Sequence, residues 1–195
     1  MIWFRFLGLY IAVCAWGARD ACAFSMENPD LAAFIAELGA TPSALNGDFE
    51  QQKKFAGIPK ILKSRGAFEF KKGELMWKQE APIRSSIVYR DGKVTQAIED
   101  QLPTELTNQA AAFYDVIACV INPTGVCILK NFSVTQLTHL KGKKWTVALE
   151  PRNDMFRQAI SLITLEGIGA HVSDVKLVQK DCETKIHLLN LKKKF

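Results

Sequence analysis

Histidine is scarce in this chain, with three residues, His139, His171 and His187, among 195. They fall on separate predicted strands or turns, and none sits in the sequence context of a catalytic Ser or Cys. A hydrolytic triad therefore has no support. There is no CxxC, no HExxH and no clustered His/Cys spacing, which leaves a metal centre without a ligand set. No metal and no cofactor is expected. A basic stripe is missing too: the net charge is +5 and the pI near 8.9, but Lys and Arg are interleaved with Asp and Glu, which argues against nucleic acid as a partner. The clearest charge run, Lys192-Lys193-Lys194, reads as a solvated tail. The apolar run from Phe6 to Trp16 is too short to span a bilayer. A chain of 195 residues suffices for one well-buried domain and is short for two.

The early apolar run has a different reading. Arg5 precedes it and Ala21-Cys22-Ala23 gives a small-x-small ending, the pattern of a secretory leader cleaved after Ala23. The expected organisation is a leader over 1–23 and one domain over 24–195. Three cysteines then remain, Cys119, Cys127 and Cys182. In an oxidising compartment a pair is expected, and Cys119 with Cys127 is the nearest in sequence, on either side of the turn at Asn122-Pro123-Thr124-Gly125. Cys182 would be left free.

What the chain does contain is a strong strand pattern. Gly66 to Pro82, folded about Lys72-Gly73, sets Phe68 opposite Trp77 and Phe70 opposite Leu75, so four apolar side chains share one side of a hairpin. The segment Gly47 to Phe55 has period two, with Phe49, Gln51, Lys53 and Phe55 on one side. Asp91-Gly92 turns a second hairpin that faces Tyr89 with Val94. Further strands are expected over Phe132 to Thr138, Lys144 to Glu150, Ala159 to Glu166, His171 to Gln179 and Glu183 to Leu191. Two helices interrupt this pattern. One begins at Asn28-Pro29 and places Leu31, Phe34, Ile35 and Leu38 on one face. The other covers Asn108 to Asn122, with Phe113, Val116, Ile117 and Val120 as its apolar face, and a short third helix starts near Thr124. The fold class is mainly β with a helical lid (α+β): an open antiparallel barrel of about ten strands covered by two or three helices.

The order of motifs resembles the LolA family of periplasmic lipoprotein carriers. The matching residues are the early amphipathic helix, Phe49-Glu50-Gln51, the hairpin from Gly66 through Lys71-Lys72, Trp77, Pro82 and Asp91-Gly92-Lys93. Phe132-Ser133-Val134, Trp145 through Pro151, Gly167 and the Asp174 to Leu188 hairpin resemble a LolA-like subgroup found beside lipid or aryl-polyene export systems. The resemblance implies a periplasmic, monomeric carrier rather than an enzyme. Its cargo would be a lipid or an acylated lipoprotein, taken from an inner-membrane donor to an outer-membrane acceptor. Lys72-Gly73 stands where the family has Arg-Pro, so a lysine replaces the arginine of the cavity and lid. The chain also ends without the C-terminal extension of housekeeping LolA.

A curved sheet whose helices are too short to fill it leaves its apolar side chains facing each other or a guest. The expected cavity is lined by Phe49, Phe68, Phe70, Leu75, Trp77 and Tyr89, under a lid presenting Leu31, Phe34, Phe113 and Ile117, with Lys72 at its mouth. That inner face is expected to be nearly all apolar. Two other classes compete. A lipid-sensing regulator of the envelope would show a second domain or a partner-docking surface, and an enzyme would need convergent polar groups inside the cavity.

Overall fold

The computed structural model describes residues 28–39, 44–71, 73–138 and 144–194, the side chains at 108–113, 115 and 155 excepted. The leader expected over 1–23, Lys72, His139 and the turn expected at Lys141-Gly142 lie outside them.

Among the described residues eleven strands form one antiparallel sheet. They are β1 (Ala44–Phe55), β2 (Leu62–Lys71), β3 (Glu74–Ala81), β4 (Ser85–Arg90), β5 (Lys93–Ile98), β6 (Thr104–Glu105), β7 (Phe132–Thr138), β8 (Lys144–Pro151), β9 (Leu162–Ile168), β10 (His171–Val178) and β11 (Cys182–Lys194). Their order is β6-β5-β4-β3-β2-β1-β11-β10-β9-β8-β7, so the sheet is unclosed, with β6 and β7 at its edges. Four helices accompany it: α1 (Pro29–Leu38), α2 (Asn108–Ile121), α3 (Gly125–Asn131) and α4 (Asp154–Ala159). This is the open antiparallel half-barrel with short helices that the strand pattern called for.

The hairpin registers follow the sequence pattern closely. Phe68 pairs with Trp77, Phe70 with Leu75 and Tyr89 with Val94. Asn28 caps α1, its side chain accepting from the Asp30 and Leu31 amides. Thr124 caps α3 in the same way through the Cys127 amide. Two elements depart from expectation. The strand placed at Ala159 starts at Leu162, because Asp154–Ala159 forms α4, whose turn and a half is too short for a helical period to show. β6 is only two residues long and falls where the strand pattern had stopped, after Leu102.

The two halves of the sheet are packed differently. Over β7 to β10 the concave side is aliphatic and sealed: Val134, Val147, Leu149, Ile163, Leu165 and Val175 are buried in one core with α1 and α3. Phe34 of α1 meets Trp145 edge to face at 5.0 Å between ring centroids, and the Trp145 indole N–H donates to the Gly169 carbonyl. Over β1 to β5 the core is aromatic, and missing side chains let it pack. Phe49 on β1 sits opposite Gly66 on β2, and its ring passes over that glycine to stack on Trp77 of β3 at 3.8 Å. A Cβ at Gly66 would lie 1.9 Å from the Lys78 carbonyl oxygen and 2.9 Å from the Gln79 Cα. Both are backbone atoms, so a side chain there must push β2 and β3 apart. Gly167 and Trp145 repeat the device on the other half, where a Cβ would meet the indole at 2.4 Å.

Gly66→Ala is therefore expected to lower unfolding free energy by about 2–3 kcal/mol, the upper range for forcing atoms into a packed core. A urea titration measures it as a lower midpoint at an unchanged slope. A change within about 0.5 kcal/mol would contradict the packing described.

Candidate functional site

The space that matters lies between the sheet and α2. This helix approaches β4 and β5 on one flank and β10 on the other more closely than it approaches the four strands between them. Five strand spacings of about 4.8 Å separate β4 from β10. A helix can touch both flanks and clear the middle only if the sheet is concave beneath it. The result is a cleft of about 310 Å³, floored by β1, β3, β4, β5, β10 and β11 and roofed by α2.

Its lining is amphipathic. Trp77, Ile87, Leu177 and Ile186 of the sheet and Ile117 of the helix form the apolar part. Gln51, Gln79, Gln96 and Gln179, with Ser85, Thr184 and Tyr114, form the polar part, and Lys53 contributes the single charge. Every inward position on β1 from Phe49 onward obeys period two, so Gln51 and Lys53 face the cleft for the same reason that Phe49 faces the core. The expectation of a nearly all-apolar inner face is corrected here: toward the Phe55 end of β1 the inward residues turn polar, while toward the Leu45 end they remain apolar. Among the described residues no carboxylate, imidazole or thiol lines the cleft. Four amides that donate and accept, hydroxyls and one ammonium suit recognition of a polar head group, an anionic one above all.

The residues read from the sequence are brought together around this space in two shells. Trp77 and Ile117 line the cleft directly. Phe49, Phe68 and Leu75 are fully buried just behind it, Phe68 lying 5.8 Å from the Trp77 ring, and Phe70 and Tyr89 are half-buried against the same cluster. In this closed form they back the Trp77 wall rather than touch the open volume. Leu31 and Phe34 of α1 are buried too, but over the opposite half of the sheet, where Phe34 packs on Trp145. Phe113 lies on α2 with its side chain outside the described residues, as does Lys72 entirely. Lys53 and the glutamines were missed as site residues, though the period-two pattern had already placed Gln51 and Lys53 on the Phe49 side.

Cys119 and Cys127 form a disulfide, with Cα atoms 6.0 Å apart, that ties the last turns of α2 to α3. Cys182 is free. α3 crosses α1 where Gly125 meets Ile35, so the C-terminal end of α2 is held by a covalent bond and a packed helix pair. Its N-terminal end follows the short edge strand β6 and has no such tie among the described residues. Of the remaining ionisable groups, His187 Nδ1 lies 2.8 Å from Asp174 Oδ1 on the opposite, solvent-facing side of the sheet. Among the described residues no group of His, Cys, Asp and Glu could hold a metal ion, and no helix is long and apolar enough to cross a membrane.

No protein-family model matches the chain, and no curated protein matches it. Solved structures similar to it include a LolA superfamily protein from Nitrosomonas europaea, at 7% identity over 83% of this chain and 90% of that one with a TM-score of 0.44. Another is the Mycobacterium tuberculosis lipoprotein LppX, at 10% identity over 84% of this chain and 96% of that one with a TM-score of 0.46. Likeness of this degree carries no argument about function.

Burial pushes the Tyr114 phenol up from its ordinary 10 to about 12. Because the fold favours the neutral form, this group's contribution to stability is complete below pH 10 and is lost as pH rises through about 12. A spectroscopic phenolate titration should show a step near 12 in the wild type that Tyr114→Phe lacks, with the wild type losing more stability than the variant across that interval. Ionisation of Tyr114 near 10 would contradict its burial between α2 and the sheet.

Proposed function

We propose that this protein carries an amphipathic lipid, or the acyl chains of a lipoprotein, across the periplasm from an inner-membrane donor to an outer-membrane acceptor, after removal of the leader over 1–23. The observation that carries the reading is the amphipathic cleft held open between a concave sheet and a helix anchored at one end. An acyl chain exposed to water costs about 0.8 kcal/mol per CH2, so a vehicle crossing an aqueous compartment must cover it with apolar surface. Trp77, Ile87, Ile117, Leu177 and Ile186 offer that surface, and Lys53 with the four glutamines takes the head group. The cargo is thus an amphiphile with a polar, preferably anionic, end.

The closed volume, about 310 Å³, sits at the small end of ligand sites, which run from about 300 to 1,000 Å³. A guest with two chains therefore requires α2 to lift. Lifting α2 about the Cys119–Cys127 tether uncovers Tyr114 and, nearer the pivot, Ile117 unless a guest replaces the lost contact, so loading and opening are coupled. Among the described residues the lining has hydrogen-bonding groups and a cation but no carboxylate, imidazole or thiol, which favours binding over catalysis.

Titration with a fluorescent acyl probe tests this. The wild type should bind a carboxylate-headed probe saturably, Trp77→Leu about tenfold more weakly through loss of aromatic contact. Lys53→Gln should weaken the carboxylate-headed probe by a similar factor and leave an uncharged-headed one unchanged. Lipid released from protein purified out of its native envelope, identified by mass spectrometry, would name the cargo. Absence of saturable binding by a folded wild type would overturn the carrier reading.

A further inference from the structure

We infer that the rim at which the cleft opens is a docking surface for an anionic lipid bilayer. Strand pairing brings three turns to one end of the sheet: the β1–β2 loop, the β3–β4 turn and the turn after β5. Six exposed aliphatic side chains gather there, Ile58, Ile61 and Leu62 on the first, Ile83 on the second, Ile98 and Leu102 on the third. Among the described residues only Val126 and Ile168 add to the large exposed apolar side chains; Ile168 lies at the opposite end of the sheet and Val126 on α3, away from these three turns in the chain. Isolated exposed aliphatics are ordinary, but six on one rim are a patch, and a patch marks a surface that is covered in use.

Charge decides what covers it. From Gln51 to Phe68 the β1–β2 hairpin carries Lys53, Lys54, Lys60, Lys63 and Arg65 and no carboxylate. This hairpin also reaches furthest. The Ala56 amide donates to the Asp181 carbonyl, which places the β10–β11 turn level with Ala56, and Arg65 pairs with Ala81, which ends β3 further back still. Residues 57–61 therefore stand beyond both neighbouring turns. Glu183 on the adjacent strand is already engaged by Lys176 and Lys185, exposed Asp181 lies in the β10–β11 turn and Glu50 opposite Arg65. Glu99 and Asp100 follow Ile98 on the third turn, where Asp100 faces Arg84, so the cations prevail on the β1–β2 hairpin. An apolar tip ringed by cations fits the interface of an anionic bilayer, where aliphatics enter the acyl boundary and lysine stems keep their ammonium groups among phosphates. Gln79 and Ser85 pair at the end of the β3–β4 hairpin, Lys53 faces Thr184, and Gln179 closes the β10–β11 turn, so the polar mouth of the cleft would meet the lipid head groups. The inference does not depend on what the cleft holds.

Vesicle co-sedimentation of the mature chain tests it, using phosphatidylcholine vesicles with and without phosphatidylglycerol. Each cation near an anionic surface strengthens binding about fivefold, so anionic vesicles should be bound at least about tenfold more tightly than neutral ones. Ile58→Ser with Ile61→Ser should reduce that binding about tenfold, and separately Lys60→Glu with Lys63→Glu at least about 25-fold, about fivefold for each cation lost, while both leave the unfolding midpoint and acyl-probe uptake unchanged. Vesicle binding that persists without probe uptake supports docking and overturns the carrier reading instead. Equal affinity for neutral and anionic vesicles, binding to neither, full binding by both variants, or recruitment only to vesicles bearing envelope proteins would overturn the docking surface.

Discussion

The fold depends on one strand pairing on both of its edges. β1 is hydrogen-bonded to β2, its neighbour in sequence, and to β11, the last strand, along nearly its whole length. The centre of the sheet is therefore made where the two ends of the chain meet, and each half extends outward from it by consecutive hairpins. Alternation along β1 then settles what the concave side can be: Leu45 and Phe49 commit one end to a packed core, and Gln51 and Lys53 commit the other to a polar-lined space. Loop-closure entropy opposes a pairing of such long sequence separation, and the apolar surface buried on both sides of the seam is what offsets it.

Curvature supplies the second condition. The aromatic rings of Phe49 and Trp145 lie across glycines on neighbouring strands, which lets bulky side chains fill the concave side without forcing the strands apart. α1 and α3 seal the half over β7 to β10. α2 bridges the other half without filling it, and its tether to α3 leaves one end fixed and the other connected through a two-residue edge strand. Among the described residues the Asn122 side-chain N–H2 is buried without a hydrogen-bond partner at that fixed end, a local cost to the packing there.

Much of this was legible in the sequence because it is local. The hairpin registers of Phe68 with Trp77 and of Tyr89 with Val94, the cap at Asn28 and the start of a short helix near Thr124 rest on spacings of two to four residues, which the structure reproduces. The polar end of the concave face was not read as a site, although Gln51 and Lys53 were on the right side of β1, because a stripe of aromatics outweighs two polar positions in any count of faces. The docking of α1 on Trp145 rather than over the cleft was beyond reach: an apolar helix face says that it is covered, not by which half of the sheet. α4 and β6 are too short to carry a period.

The central claim is that α2 is a lid, able to open while the sheet stays folded. Native-state amide hydrogen exchange tests it most directly, since it measures opening segment by segment. The account predicts that amides in the N-terminal half of α2 exchange through an opening of much lower free energy than those of β1 and β11, and that a bound acyl probe slows them. Exchange of α2 only through global unfolding, at the same free energy as β1 and unaffected by the probe, would contradict it.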